Sequence, residues 1–418
     1  MKKRQLNMLA FFCCFAYFTS YITRINYAAV RIAIADELAL THPELVLELG
    51  VAIAAASVTY GFGQFISGML GDRLEPITIV GVGLGGAVLC NVLITMLYPS
   101  VYWMALVWGV NGFFQSLIRP PLGRIIAANY DQKGYINTCV AVSNSSQVAT
   151  VLTYLVIPLC LQLSDNNWRL AFHIPVVVGV ITLICWFLIV PRICGEGGAV
   201  VREERKDAAE PLVPVMLRSG LLLFILPVLI HGLLRDGITA WMPDFICEVG
   251  GWDTGASILT TAILPAFCIV CVIAAKKICA RIPSNGVSSA LFFVVSCVSA
   301  AIILPLLKTS GTAAFVVIVV IVVLMALITG CMHAVNHIFI TRIPGAFRRV
   351  GRVSGVVGVL NAVTYVGSAL SPYLIAVVAK ENGWGTAVFV WMILAAVSVV
   401  LCMAASRKWQ AFEQSQTV

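Results

Sequence analysis

Charge is scarce in this chain. Only 11% of the 418 residues are Asp, Glu, Lys or Arg, and 60% are hydrophobic, whereas a soluble domain is about 25% charged and about half apolar. An ordinary water-exposed enzyme domain is thereby excluded. Acids are scarcer still inside the apolar runs, where Asp236 is the one clear case. The 14 Cys are scattered, mostly within those runs, and read as small packing residues rather than metal ligands. His333 and His337 have the spacing of a metal pair, but no Glu lies between them and no third ligand is evident, so no metal is expected. Gly81-x-Gly83-x-Gly85-Gly86 follows no strand, so it reads as close helix packing and no cofactor is implied. No residue set points to an enzyme.

What the chain has in abundance is long apolar runs. Twelve reach the ~20 residues that a membrane-spanning helix needs: 9–35, 47–71, 77–98, 101–128, 135–163, 168–190, 219–246, 254–275, 286–306, 311–341, 353–379 and 384–405. They are too continuous for the 9–11-residue strands of a membrane barrel. The expectation is an all-α membrane protein with twelve transmembrane helices.

The formal charge of +8 does not point to nucleic acid, because the basic residues gather at alternate helix ends. Lys2, Lys3 and Arg4 precede the first run; Arg73, Lys133, Arg192, Lys276, Arg342 and Arg407 follow the even-numbered ones. The loop holding Asp36, Glu37, Glu44 and Glu48 is acidic. The positive-inside rule then puts both termini in the cytoplasm of a plasma or inner membrane. The first run is too long for a signal peptide, and no small-x-small site follows it, so it reads as an uncleaved span. Residues 191–218, rich in Arg, Lys and Glu, read as a solvated cytoplasmic linker with room for a short amphipathic helix.

Two of the runs carry an arginine at the same position. Arg24 is the sixteenth residue of the 27-residue run Leu9 to Ala35, and Arg235 is the sixteenth of the 27-residue run Gly220 to Ile246, 211 positions later. Other features recur at nearly the same offset. Gly134-x9-Asn144 matches Gly351-x9-Asn361 after 217 positions, and Asn166-x-Trp168 matches Asn382-x-Trp384 after 216. The chain therefore reads as two six-helix pseudo-repeats, 1–190 and 219–418, a transporter architecture with its site near the midplane. An arginine at a span centre disfavours insertion by about 2.5–3.5 kcal/mol on translocon scales and marks a functional site by default.

These stretches resemble a known family. Two six-helix halves, a basic central loop and Gly68-x3-Asp72-Arg73 look like the major facilitator fold. Tyr21-x2-Arg24-x-Asn26, Tyr60-Gly-x-Gly-Gln64-Phe-x-Ser-Gly68, Asn111-Gly-Phe-Phe-Gln115, Pro120-Pro121-x-Gly123-Arg124 and Leu234-Arg235-x-Gly237-Ile238-x2-Trp241-x-Pro243 are similar to the organophosphate:phosphate antiporters, the glycerol-3-phosphate and hexose-phosphate carriers. So is the stretch from Gly351-Arg-Val-Ser-Gly355 to Gly367-Ser368. The resemblance implies that Arg24 and Arg235 bind the substrate phosphate and that inorganic phosphate is exchanged. Four positions depart from the family pattern. Ser143-Asn144-Ser145-Ser146-Gln147 lacks a histidine, Ile25 replaces a lysine, Ala240 an aspartate, and Arg119 a tryptophan.

The candidate site follows from these residues. Arg24 and Arg235 offer planar forks suited to phosphate or carboxylate oxygens, and two forks from opposite halves could clamp one dianion. Tyr17 and Tyr21 share a helix face with Arg24 and are candidates to line the same cavity, against a plain packing role. Asn111, Gln115 and Arg119 fall at i, i+4 and i+8 and form a polar stripe facing a pore or another helix. For Arg119 three readings stand: a third anion contact, a gate residue, or a snorkelling interfacial charge. His231, His333, Asn361 and Tyr365 are further polar candidates for substrate contact. Asp236 should point about 100° away from Arg235, towards the eleventh or eighth helix, as a protonatable switch or as a structural arginine partner. Asp72 and Arg73 read as a hinge contact.

The expected function is secondary transport of a small organic anion, a sugar phosphate or other organophosphate, by alternating access in a monomer within the lipid bilayer. The coupling ion would be inorganic phosphate or a proton. A proton-coupled carboxylate or sugar-acid symporter, a multidrug exporter and a transport-like sugar-phosphate receptor are the rival readings.

Overall fold

The computed structural model describes residues 3–38, 50–98, 100–164, 167–195, 211–252, 263–282, 284–308 and 314–417, together with Thr260. Among them, twelve helices are long and apolar enough to cross a membrane: Lys3–Val30, Val51–Gly71, Pro76–Leu97, Val101–Asn129, Gln132–Leu163, Leu170–Gly195, Leu221–Met242, Ile263–Arg281, Asn285–Leu306, Phe315–Gly345, Val353–Ser371 and Glu381–Gln414. These are the first to twelfth spans. The chain is an all-helical, multi-pass membrane protein. In hydrocarbon every backbone N–H and C=O must be satisfied within the segment, which is why apolar runs of this length become helices.

Punctuation between spans follows side-chain chemistry. Pro76 opens the third span, where its missing N–H is no loss. The Asp131 carboxylate accepts from the Gly134 N–H at 2.8 Å and caps the fifth. The eleventh and twelfth spans lie in one helical stretch, Val353–Thr417, interrupted at Gly383 with φ 78°, a left-handed value that favours glycine. Of the expected linker, residues 196–210 lie outside the described part, and a short helix covers Leu212–Ser219.

The chain forms two compact units, Met1–Glu210 with Phe347–Ala362, and Pro211–Ala346 with Val363–Val418. In the first, the first span packs on the fifth and sixth, the second on the fourth, and the third on the fourth and sixth. Tyr27, Trp108 and Phe172 form its aromatic centre, with ring centroids 4.9 Å (Tyr27–Trp108) and 5.9 Å (Trp108–Phe172) apart. In the second unit the tenth span is central and packs on the seventh, eighth and ninth. Close approach there needs glycine: a Cβ on Gly367 would lie 2.1 Å from the Leu229 carbonyl oxygen.

One expected helix is two. The fourth span is helical over Val101–Ser116 and again over Arg119–Asn129. Pro120 has no N–H to return to Ser116, so that carbonyl is left over. Gln64 takes it, donating from Nε2 to Ser116 O at 3.3 Å.

The two sequence repeats share a contact inside each unit. In the first, Trp168 Nε1 donates to Glu37 Oε2 at 2.5 Å. In the second, Trp384 Nε1 donates to Glu248 Oε2 at 2.7 Å. Each tryptophan near the start of the sixth or twelfth span thus holds a glutamate at the C-terminal end of the helix that carries the first or seventh span. Arg169 adds a two-pronged bond to Glu37, at 2.8 and 3.1 Å, and stacks over Tyr98. Those donors, Arg169 first and then Tyr98, lower the Glu37 carboxyl from its ordinary 4.5 to about 2.

Two predictions follow from this packing. Gly112→Val places carbon where a Cβ already lies 2.2 Å from Ala56 O; overpacking of this kind costs about 1–3 kcal/mol. Its Tm in detergent should fall by several degrees, while Gly385→Ala, with nothing within 4 Å, should leave it near wild type. For Glu37 the pair is partly exposed, so solvent screening keeps its contribution below about 1 kcal/mol. A depressed carboxylate stabilises above its unfolded pKa and loses that effect as pH falls. The Tm gap between wild type and Glu37→Gln should therefore shrink from pH 4.5 towards pH 2; a gap that widens on acidification would refute the assignment.

Candidate functional site

Each unit builds one arginine-centred nest. In the first, the residues around Arg24 hold the helix so tightly that the arginine's direction is set. Thr23, the residue before it, is 1% exposed. Its carbonyl accepts from Asn91 Nδ2 at 2.9 Å and Asn111 Nδ2 at 3.3 Å, and its hydroxyl accepts from Gln115 Nε2 at 2.9 Å. Asn26 donates to Asn91 Oδ1 at 2.7 Å and to the Ala171 carbonyl at 3.0 Å. Four spans, the first, third, fourth and sixth, are joined by these bonds. Polar groups at membrane depth that find such partners fix both the depth and the roll of a helix.

Arg24, half-buried, is framed by rings. Its guanidinium carbon lies 4.1 Å from the Tyr60 ring centre and 5.9 Å from that of Tyr21. Tyr21 meets Tyr17 edge to face at 5.2 Å, and Tyr17 lies 5.7 Å from the Arg119 guanidinium carbon. Tyr60, Arg24, Tyr21, Tyr17 and Arg119 thus form one connected ladder of rings and cations, held by cation–π contacts and one ring–ring contact. Arg119 is 5% exposed, which rules out the snorkelling reading. The stripe Asn111, Gln115, Arg119 faces the first span, as helix-on-helix polar contact. The break before Arg119 takes it out of simple i+8 register.

In the second unit, Arg235 is 8% exposed and sits among polar groups. Its Nε and Nη2 donate to the two carboxylate oxygens of Asp236 at 2.6 and 2.7 Å. Asn336 Oδ1 and Ser368 Oγ each lie 3.5 Å from its outer nitrogens, and the Tyr365 ring centre is 5.9 Å away. His231 Nε2 meets the same Asn336 Oδ1 at 3.2 Å. His333 lies within electrostatic range of Arg235 and Asp236. Asp236 thus leans across the helix surface to meet Arg235, and its carboxylate also bonds Ser368 of the eleventh span.

Asn361 falls elsewhere. Its amide donates to Gln64 Oε1 at 3.0 Å within the first unit. The side chains of Asp72 and Arg73 lie outside the described residues. Among the described residues no three His, Cys, Asp or Glu are grouped to hold a metal ion. Tyr60, Gln64, Ser368 and Thr23 were not singled out as site residues from the sequence. Tyr60 and Gln64 carried a signal, being four apart within a quoted motif. Thr23 carried none beyond its place beside Arg24.

Residues 13–359 match the Major Facilitator Superfamily. The chain is 25% identical over 230 residues to the glycerol-3-phosphate transporter of Bacillus subtilis, covering 49% of this chain and 50% of that protein. It is 26% identical over 179 residues to a probable hexose phosphate transport protein of Chlamydia muridarum, covering 43% and 37%. It is 26% identical over 174 residues to the membrane sensor protein UhpC of Salmonella typhimurium, covering 41% and 38%. The matches thus span half or less of these relatives' lengths. A bacterial homologue of the iron transporter ferroportin, in an outward-facing crystal structure, superposes with a TM-score of 0.74 at 9% identity, covering 96% and 99% of the two chains. At that identity the likeness is one of fold.

The bonds around Thr23 generate a prediction of their own. Asn91→Leu removes an acceptor from Asn26 and a donor from Thr23, and interhelical bonds of this kind are worth about 1–2 kcal/mol each. The variant should unfold at lower temperature in detergent. Unchanged stability would mean that these bonds do not anchor the first span.

Proposed function

Because this chain belongs to the Major Facilitator Superfamily, whose relatives reported above include transporters and not enzymes, we propose that it carries a small organophosphate across the membrane, with Arg24 and Arg235 as its anion contacts. The observation that carries the reading is the nest around each arginine. A span-centre guanidinium is unfavourable in lipid, yet the chain holds two at equivalent repeat positions, each with aromatic rings and polar groups around it. A guanidinium fork matches phosphate oxygens bidentately, in a way a lysine does not. The names of the relatives, carriers of glycerol 3-phosphate and hexose phosphate, agree with a phosphate ester.

The finer reading is exchange of a sugar phosphate or similar ester for inorganic phosphate by alternating access, in a monomer. The residues 1–190 and 219–418 act as the moving halves, joined by 191–218. Basic residues at alternate helix ends support a plasma-membrane protein with both termini in the cytoplasm. Tyr17, Tyr21 and Arg119 extend the contact surface in the first unit, and His231, His333 and Tyr365 in the second. Asn111, Gln115 and Asn361 support it by positioning.

Purified protein, assayed for binding of glycerol 3-phosphate, tests the reading. Arg24→Gln and Arg235→Gln should each weaken binding about 100-fold, since losing a desolvated charge-paired group costs about 2–5 kcal/mol. Binding within twofold of wild type in both variants would refute it.

A further inference from the structure

The Arg235–Asp236 pair has the geometry of a site already filled. Neighbouring residues on a helix point about 100° apart and do not ordinarily face each other. Here the two side chains nonetheless meet fork to fork, at 2.6 and 2.7 Å. The arginine side chain is 10% exposed and the carboxylate 36%. The cation is thus the deeper partner of the two. Two oxygens held against Nε and Nη2 are also what a phosphate or carboxylate ligand would present. Asn336 and Ser368 lie at 3.5 Å from its outer nitrogens, longer than the two bonds to Asp236.

We propose that Asp236 is a tethered counter-anion. It occupies the Arg235 fork when no substrate is bound, gives it up to the substrate's anionic group, and takes it back on release. The proposal rests on the reading of Arg235 as an anion contact.

The tether has two consequences. First, a carboxylate one residue away is present at high effective concentration. Free ligand must displace it, so the apparent affinity is lowered by the fraction of molecules in which the fork is open. Second, the empty protein keeps Arg235 charge-compensated. A carrier whose site cations need a ligand before it can turn over favours exchange. One that supplies its own counter-anion at one of its two arginines lowers the cost of returning empty. The chain should therefore catalyse net movement of an anion as well as exchange. The position is a departure from the resembled family, where the helix-seven aspartate precedes the tryptophan; that place is Ala240 here.

The test uses the full chain, with glycerol 3-phosphate and inorganic phosphate as probes. Asp236→Asn should bind at least one probe about tenfold more tightly than wild type, a shift of about 1.4 kcal/mol, and Asp236→Glu should stay close to wild type. Arg235→Gln should bind about 100-fold more weakly. If Arg235→Gln weakens binding but Asp236→Asn binds no more tightly than wild type, the counter-anion is overturned and the anion contact stands. If Arg235→Gln binds as wild type does, or if neither probe binds wild type or Asp236→Asn, the underlying reading fails and takes the proposal with it. A measurement on wild type alone covers the case of a variant that does not fold. Liposomes loaded with labelled phosphate should release it into anion-free medium at about a tenth to a half of the rate seen with phosphate outside. Slower net release overturns the proposal.

Discussion

The hydrogen bonds that converge on Thr23 are the constraint on which the first unit's site depends. Arg24 would be expensive in lipid on any helix that could roll or slide. It is tolerable here because its neighbour is fixed from three directions, by Asn91, Asn111 and Gln115, and because Asn26 binds the third and sixth spans one turn further on. Below that knot lies the aromatic packing of Tyr27, Trp108 and Phe172. Polar bonds set orientation, and aromatic packing sets distance. The guanidinium is left with a defined place between Tyr21 and Tyr60.

The equivalent arginine is stabilised by other means. Arg235 is compensated within its own helix by Asp236, and its surroundings are amide, hydroxyl and imidazole in addition to one ring. Two repeats of one ancestral pattern have thus come to hold the same cation differently. The features they have kept are the depth of the arginine and the tryptophan-to-glutamate bond at the helix ends, Trp168 with Glu37 and Trp384 with Glu248. A bond preserved in both repeats while the surroundings of the arginines diverged points to a common scaffold carrying two different contact chemistries.

Much of this was legible in the residues. Twelve apolar runs become twelve spans because the hydrocarbon core leaves the backbone no other way to satisfy itself. The arginine pair was visible because a charge in such a run stands out. Three features were not legible. The Arg235–Asp236 pairing defies the helical rule that adjacent residues diverge. The interruption at Ser116 was hidden because Pro120 and Pro121 also fit within an apolar run of ordinary length, and only the Gln64 bond shows where the freed carbonyl goes. Thr23 gave no sign because its role comes from partners 68 to 92 positions away.

The central claim is that this fold carries a phosphate-bearing solute. Its most direct test is counterflow in liposomes containing the purified full chain, with labelled inorganic phosphate inside and glycerol 3-phosphate, glycerate or glycerol outside. The account predicts that glycerol 3-phosphate drives rapid phosphate release, that glycerate drives less, and that glycerol gives no more release than buffer alone. Equal release with glycerol and glycerol 3-phosphate, or no stimulation by any anion, would contradict it.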